Sequence, residues 1–349
     1  MVLAIILVIL VLLALAIAGL FLYLRQQAAN TPAARYQQAL GLYHQAQFAE
    51  ADTLLDTVLS QDPGLVPALF LKALVAEKQD NLATSKALFL QLLALQPDDV
   101  PTVFNLARVA YLMGELELAQ STLEQALVLA PEDADCLYLS GILAEEQQDF
   151  ATAEAIYEHA ATVAPGHEEV GYTLGKLYAR QGKMQQAMEA YKRVIAFAPD
   201  NAEIAYELSI VTAKLGIWDE TVAYCEQAIK ADPAMSRAYN QLGLAYYCTN
   251  QPEKAIPKYQ KAVELNPDYA IAYNNLGYAF EKTQQFDQAI EIFTRYQTKI
   301  TDAAEIQTIT EHIEGLRQKA NMPAESTPAE AFPFDTAAPV AASGVSEEA

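Results

Sequence analysis

The sequence predicts an all-α protein whose helices come in stacked hairpins, and three observations carry that expectation. Pro63, Pro97, Pro131, Pro165, Pro199, Pro233 and Pro267 stand 34 residues apart without a slip. A proline lacks the backbone donor and its ring clashes with the preceding turn, so each marks the end of a helix. With that proline placed at position 32 of a 34-residue unit, position 20 reads Ala51, Ser85, Ala119, Ala153, Ala187, Thr221, Ala255 and Ala289, and position 8 reads Ala39, Ala73, Ala107, Gly141, Gly175, Ser209, Gly243 and Gly277. Side chains this small let two helix backbones approach closely. The bulky column at position 24 (Leu55, Phe89, Leu123, Tyr157, Tyr191, Cys225, Tyr259, Phe293) fills the adjoining core, so each unit is a helical hairpin.

Residues 1–24 read as a transmembrane anchor. Val2 to Leu24 carries no charge, and its 23 residues would span about 35 Å as a helix, enough for a bilayer core. A cleaved signal peptide is the competing reading. No Lys or Arg precedes the apolar run, however, and cleavage after Ala16 or Ala18 would leave apolar residues up to Leu24 exposed. Residues 25–31 form a linker. Arg25 and Arg35 trail the span, and the positive-inside rule then places a single-pass protein in a bacterial inner membrane with its repeats cytoplasmic, the periplasm being the alternative.

Residues 32–303 hold about eight hairpins, at 32–65, 66–99, 100–133, 134–167, 168–201, 202–235, 236–269 and 270–303. The eighth has Thr301 in place of the proline. Residues 304–320 read as a capping helix, with Ile306, Ile309, Ile313 and Leu316 at amphipathic spacing to cover the open face of the last hairpin. Residues 321–349 turn to Ala, Pro, Ser and Glu, with five acidic residues and no basic one, and form a disordered acidic tail. Phe332-Pro333-Phe334 within it is either a short docking motif or a pair of incidental aromatics.

The pattern resembles the tetratricopeptide repeat family, in which helix A and helix B pair within 34 residues. The unit from Ser236 to Tyr269 matches best, with Tyr239, Leu242, Gly243, Tyr246, Ala255, Tyr259, Ala262 and Pro267 at the signature places. The first unit departs, with Arg35 and Gln38 where apolar residues are usual, as expected of a terminal repeat. The resemblance implies a right-handed superhelix, an α-solenoid whose concave groove is lined by positions 2, 5, 9, 12 and 13 of helix A. Position 5 reads Tyr36, Phe70, Phe104, Tyr138, Tyr172, Tyr206, Asn240 and Asn274, an aromatic ladder that either contacts a partner or packs between A helices. With Arg237, Asn275 and Lys282, the last two units are polar and locally basic, suited to an acidic or C-terminal carboxylate group. The carboxylate clamp of chaperone-binding relatives needs Lys at position 5 with Asn at position 9, and no unit has that pair. In layout the chain also looks like membrane-anchored bacterial envelope-biogenesis scaffolds, but the zinc-binding module with two Cys pairs that ends those proteins is missing.

Composition narrows the function. With 44 acidic against 22 basic residues the formal net charge is -22, which repels nucleic-acid phosphates. The apolar fraction of 52% is what a stacked solenoid needs for a continuous core. Cys136, Cys225 and Cys248 are odd in number and form no CxxC pair, which suits free thiols. No phosphate-binding glycine loop, nucleophile elbow or HExxH helix occurs, and His44, His159, His167 and His312 lie apart. The expectation is therefore a non-enzymatic, membrane-anchored scaffold or adaptor that binds a partner protein, as a peptide or helix in the concave groove, and assembles or regulates an envelope complex. No cofactor, metal or nucleic acid is expected. A self-assembling structural protein, hence a homo-oligomer, and a non-catalytic subunit of an envelope enzyme complex are the alternatives.

Overall fold

The structure is a computed structural model, and it describes residues 31–321. The described residues are helical throughout and contain no strand, with seventeen helices among them. They fall into two compact units that divide between Ile156 and Tyr157. The first holds α1 (Pro32–His44), α2 (Phe48–Gln61), α3 (Val66–Lys78), α4 (Leu82–Leu95), α5 (Val100–Leu112), α6 (Leu116–Leu129), α7 (Ala134–Glu146) and the start of α8 (Phe150–Val163). The second holds the rest of α8, then α9 (Glu168–Arg180), α10 (Met184–Phe197), α11 (Ala202–Lys214), α12 (Trp218–Ala231), α13 (Ser236–Cys248), α14 (Pro252–Leu265), α15 (Ala270–Lys282), α16 (Phe286–Gln297) and α17 (Ala303–Ala320).

The expected single-pass membrane localisation is not upheld. Among the described residues no helix is long and apolar enough to cross a membrane. The proposed anchor at 1–24 and most of the linker lie outside the described residues, as does the tail beyond Asn321. The transmembrane part of the expected fold therefore has no counterpart in the described helices.

Each helix boundary has a local cause. The residue before a proline is pushed out of the helical region by the ring. Asp62, Gln96, Ala130, Asp232 and Asn266, each preceding a periodic proline, accordingly have φ between -138° and -130° and ψ between 82° and 95°. Each still donates its N–H to the carbonyl four residues back, and the chain then turns. Where Thr301 replaces the proline, α16 ends early: it has 12 residues against 14 in α14, and its cap Thr298 stays in the right-handed helical region. The following helices start on side-chain caps. Asp99 accepts from Thr102 N at 3.1 Å, Asp133 from Cys136 N at 2.9 Å, Asn201 from Ile204 N at 3.0 Å and Asp302 from Glu305 N at 2.8 Å.

The turn inside each hairpin uses a left-handed residue at position 15. Gly114, Gly182 and Gly216 have φ of 74° to 77° there, and Ala46, Asp80, Gln148, Asn250 and Gln284 are held at 57° to 61°. The next N–H bonds back across the turn, as Glu115 N does to Ala110 O at 2.9 Å and Gln285 N to Phe280 O at 2.9 Å. This closes the helix end in the same way whether or not the residue is glycine.

All eight position-20 side chains are buried with no exposure, and at Gly175, Gly243 and Gly277 the position-24 ring of the following helix lies against the position-8 glycine. The two columns match in size. A Cβ on Gly175 would lie 2.4 Å from Tyr191 Cε1, one on Gly243 2.7 Å from Tyr259 Cδ1, and one on Gly277 2.6 Å from Phe293 Cε1. The hydroxyl of Ser209 faces the smaller Cys225. In α17, Ile309, Ile313 and Leu316 are buried in one cluster with Ile292, Phe293 and Tyr296 of α16, so this helix covers the last hairpin.

Two predictions follow from these contacts. Gly277→Ala destabilises the protein by about 1 to 3 kcal/mol, because overpacking against the fully buried Phe293 ring outweighs a helix-propensity gain of about 1 kcal/mol. Gly41→Ala, in α1 with nothing within 4 Å of the new methyl, stabilises instead. Opposite shifts in denaturant midpoint test the pair, and equal shifts refute the packing account. Gln148→Gly relieves a left-handed residue and stabilises by about 0.5 to 1 kcal/mol, read in the same titration.

Candidate functional site

The side chains singled out at position 5 lie on the first helix of each hairpin, and each unit is described by itself. In the first unit Tyr36, Phe70, Phe104 and Tyr138 are all half-buried. Phe70 meets the buried Phe89 ring edge-on at 5.6 Å, and Tyr36 and Phe104 pack against core clusters, so these rings serve the core as well as the surface. Beside them the polar face is tied from one hairpin to the next. Arg108 makes a two-pronged ion pair with Glu77, one arm at 2.6 Å, and also donates to Asn105 Oδ1 at 2.7 Å. Tyr111 Oη donates to Glu146 Oε1 at 3.3 Å.

In the second unit the same column is bound into a polar network. Tyr172 is half-buried, 6.3 Å from Tyr191 ring to ring, and its hydroxyl donates to Glu203 Oε1 at 3.5 Å. Burial first, then the charges of Glu207 and Glu203, push that phenol up to about 12. Lys176 Nζ stands 5.1 Å from the Tyr172 ring centre. Tyr206 is buried, with the Arg237 guanidinium 4.7 Å above its ring, and Arg237 pairs with Glu203. These are cation–π contacts partly shielded from water.

Asn240 and Asn275, expected to line an open groove, are instead buried, at 6% and 9% exposure. Asn275 Nδ2 donates to Asn240 Oδ1 at 2.9 Å and Asn240 Nδ2 to Tyr269 Oη at 3.4 Å, so the two amides satisfy each other. Asn274 differs: it is half-buried, and its Oδ1 is enclosed without a hydrogen-bond partner. Lys282 lies 4.5 Å over the Tyr247 ring. The structure thus joins Tyr172 and Tyr206 through Glu203 and Arg237, joins Asn240 to Asn275, and leaves Asn274 and Lys282 outside these two sets of hydrogen bonds. The aromatic at position 4 enters the core as Tyr273, whereas Tyr239 stays half-buried.

Sequence reasoning passed over Glu203, Glu207 and Tyr191. A signal for the first existed, since Glu203 and Arg237 occupy the same position of consecutive units with opposite charge. The remaining reactive side chains have structural surroundings. Burial pushes the Cys136 thiol well above its ordinary range and the Cys225 thiol up to about 12, so neither is poised as a nucleophile. His167 caps α9, its Nδ1 accepting from Val170 N at 3.4 Å, and His312 Nε2 lies 2.8 Å from Glu281 Oε2. Among the described residues no group of three or more His, Cys, Asp or Glu side chains is arranged to hold a metal ion.

Comparison with known proteins places this architecture. Residues 104–168, 144–208 and 272–301 match family models described as tetratricopeptide repeat, and residues 249–284 match one described as TPR repeat. No curated protein matches the chain. Similar solved structures include YrrB, described as a TPR protein with an unusual peptide-binding site, at 22% identity and TM-score 0.48 over 53% of this chain and 96% of that one. MamA is similar at 26% identity and TM-score 0.44, over 46% of this chain and 93% of its own. A tetratricopeptide repeat protein from Parabacteroides merdae ATCC 43184 is similar at 16% identity and TM-score 0.45, over 72% of this chain and 98% of its own. With the 34-residue spacing, the paired helices and the four family matches in agreement, residues 104–208 and 249–301 are tetratricopeptide repeats.

Proposed function

We propose that the protein is a non-catalytic interaction scaffold that holds a segment of a partner protein against its first-helix faces. The observations that support this lie in the second unit: Tyr172 is half-buried, and Asn274, at the same position of the repeat farther along the chain, has an enclosed Oδ1 that lacks a donor. A stiff aromatic surface gives contact area at low entropy cost. An amide oxygen without a donor suits the backbone N–H of an extended or helical segment, because a buried acceptor left unpaired costs about 1 to 3 kcal/mol. On the first unit Tyr36, Phe70, Phe104 and Tyr138 offer a similar but more apolar surface, and Lys282 adds a cation on α15.

The test is display of random twelve-residue peptides against the full chain. Enrichment is expected, and Tyr172→Ala should weaken a selected peptide by about 2 kcal/mol, as truncation of an aromatic anchor does. Asn274→Ala should cost about 1 kcal/mol. Both variants should keep the wild-type circular dichroism and melting profile. Failure to enrich any peptide, or folded variants with undiminished affinity, rejects this face as the binding surface.

A further inference from the structure

Between α14 and α16, the second helices of the hairpins at 236–269 and 270–303, lies a groove of about 440 Å³. Tyr273, Leu276 and Phe280 of α15 line it at the spacing of one helix face, together with Val263 of α14 and Ile292 of α16. Gln260, Gln288 and Arg295 stand exposed along its rim. An apolar lining with a few polar groups around it, in a volume of roughly 300 to 1,000 Å³, is the usual build of a recognition pocket. The corresponding grooves at Leu123 and at Tyr178 hold about 240 Å³ and 330 Å³. The first is lined by no aromatic side chain and no cation, and the second by a single ring, Tyr178, whose hydroxyl bonds Glu158.

The charges around the α14–α16 groove are balanced. Glu264 pairs with Lys261 at 2.8 Å and Glu291 with Arg295 at 2.6 Å, so neither carboxylate opposes an incoming acidic segment as a bare charge. The Arg295 side chain is 60% exposed, which leaves its remaining donors open to water or to a second carboxylate.

The chain itself leaves the described helices beside this groove. Near the end of α17, Lys319 Nζ lies 3.5 Å from Glu281 Oε1, and Glu281 directly follows Phe280 of the groove lining. Phe332 is eleven residues beyond Asn321, the last described residue, and a chain of that length reaches at most about 36 to 40 Å. The path has one helix to pass, about 10 to 12 Å across. Phe332 and Phe334 are the only aromatic residues from 322 to 349, and Asp335 follows them directly. A proline between two rings limits the residue before it to extended conformations, so less entropy is lost when the rings are seated.

We infer that the α14–α16 groove is the seat of the chain's own Phe332-Pro333-Phe334 segment, with the rings against Tyr273, Leu276 and Phe280 and Asp335 at Arg295. The tether decides the occupant. A short linker holds its segment at an effective concentration on the order of millimolar, well above that of the same segment on a second copy in dilute solution. A sequence too weak to bind as a free peptide therefore still fills the groove of its own chain. This surface is distinct from the first-helix faces, so the inference and the scaffold reading stand or fall separately.

Two measurements on the full chain test it. With p-benzoylphenylalanine in place of Phe334, irradiation should cross-link the tail within one chain to α14 or α16 at the groove. A labelled peptide of residues 328–338 should bind Phe332→Ser/Phe334→Ser about tenfold more tightly than the wild type, because the substituted tail vacates the groove. Adding Arg295→Glu to that variant should weaken the peptide about threefold. Both serines lie beyond the last described helix, so the melting profile should still report a folded protein. Cross-links scattered over other helices overturn the inference, as does a peptide that binds neither protein or binds both equally. Cross-links between two copies overturn it in favour of a tail exchanged with a neighbour.

Discussion

The hairpins at 168–201, 236–269 and 270–303 each depend on one close approach, the place where a glycine on the first helix receives a ring from the second. At Gly175, Gly243 and Gly277 the ring occupies the volume a Cβ would need, so helix spacing and ring size are set together. The side chains at position 20 make the approach possible from the other side and have no exposure at all. Packing of this kind tolerates little change in volume, because a core at crystal-like density has nowhere to put an extra methyl group. The position of each first helix, and so of the side chains on its outer face, follows from that crossing.

Between consecutive hairpins, polar links accompany the apolar packing. Arg108 with Glu77, Arg237 with Glu203, and Lys299 with Asp268 at 2.7 Å each join side chains about one repeat apart. The exposed pair of Lys299 with Asp268 contributes little to stability, on the order of 1 kcal/mol or less, whereas Glu77 is buried beneath Arg108. Their larger effect is on shape. They fix the long side chains of the first-helix face in one arrangement, so a partner meets a surface already ordered and loses less entropy on binding. The same pairs use up much of the charge that the sequence displays, which is why Arg237 belongs to the network rather than to a free basic end.

What was legible in the sequence was whatever repeats in type. The prolines marked the ends of the second helices and the small columns marked the crossing, because each asks for the same residue in every unit. The left-handed turn residue was not legible: its column reads Ala46, Asp80, Gly114, Gln148, Gly182, Gly216, Asn250 and Gln284, since turn closure at that point tolerates several residues at a modest cost. The face was legible only in outline. Position 5 announced its aromatics, but whether a ring stays half-open, as Tyr172 does, or is buried, as Tyr206 is, depends on what the next unit places over it. The burial of Asn240 and Asn275 follows from their meeting each other across two units, a pairing that no single-unit column reveals.

The covering helix α17 has a consequence for how far the stack can grow. A helical hairpin presents on its far side the same kind of apolar ledge that its predecessor filled, so an uncovered last hairpin is an invitation to another copy of the chain, and copies adding head to tail do not close. Ile309, Ile313 and Leu316 take that ledge, and Glu281, buried at 6% exposure, holds the helix through His312 at 2.8 Å and Lys319 at 3.5 Å. The opposite face of α17 is rich in Glu, Gln, Arg and Lys and offers no ledge of its own. A covering helix of this design works as a length stop, because it occupies the ledge on which a further hairpin would stack.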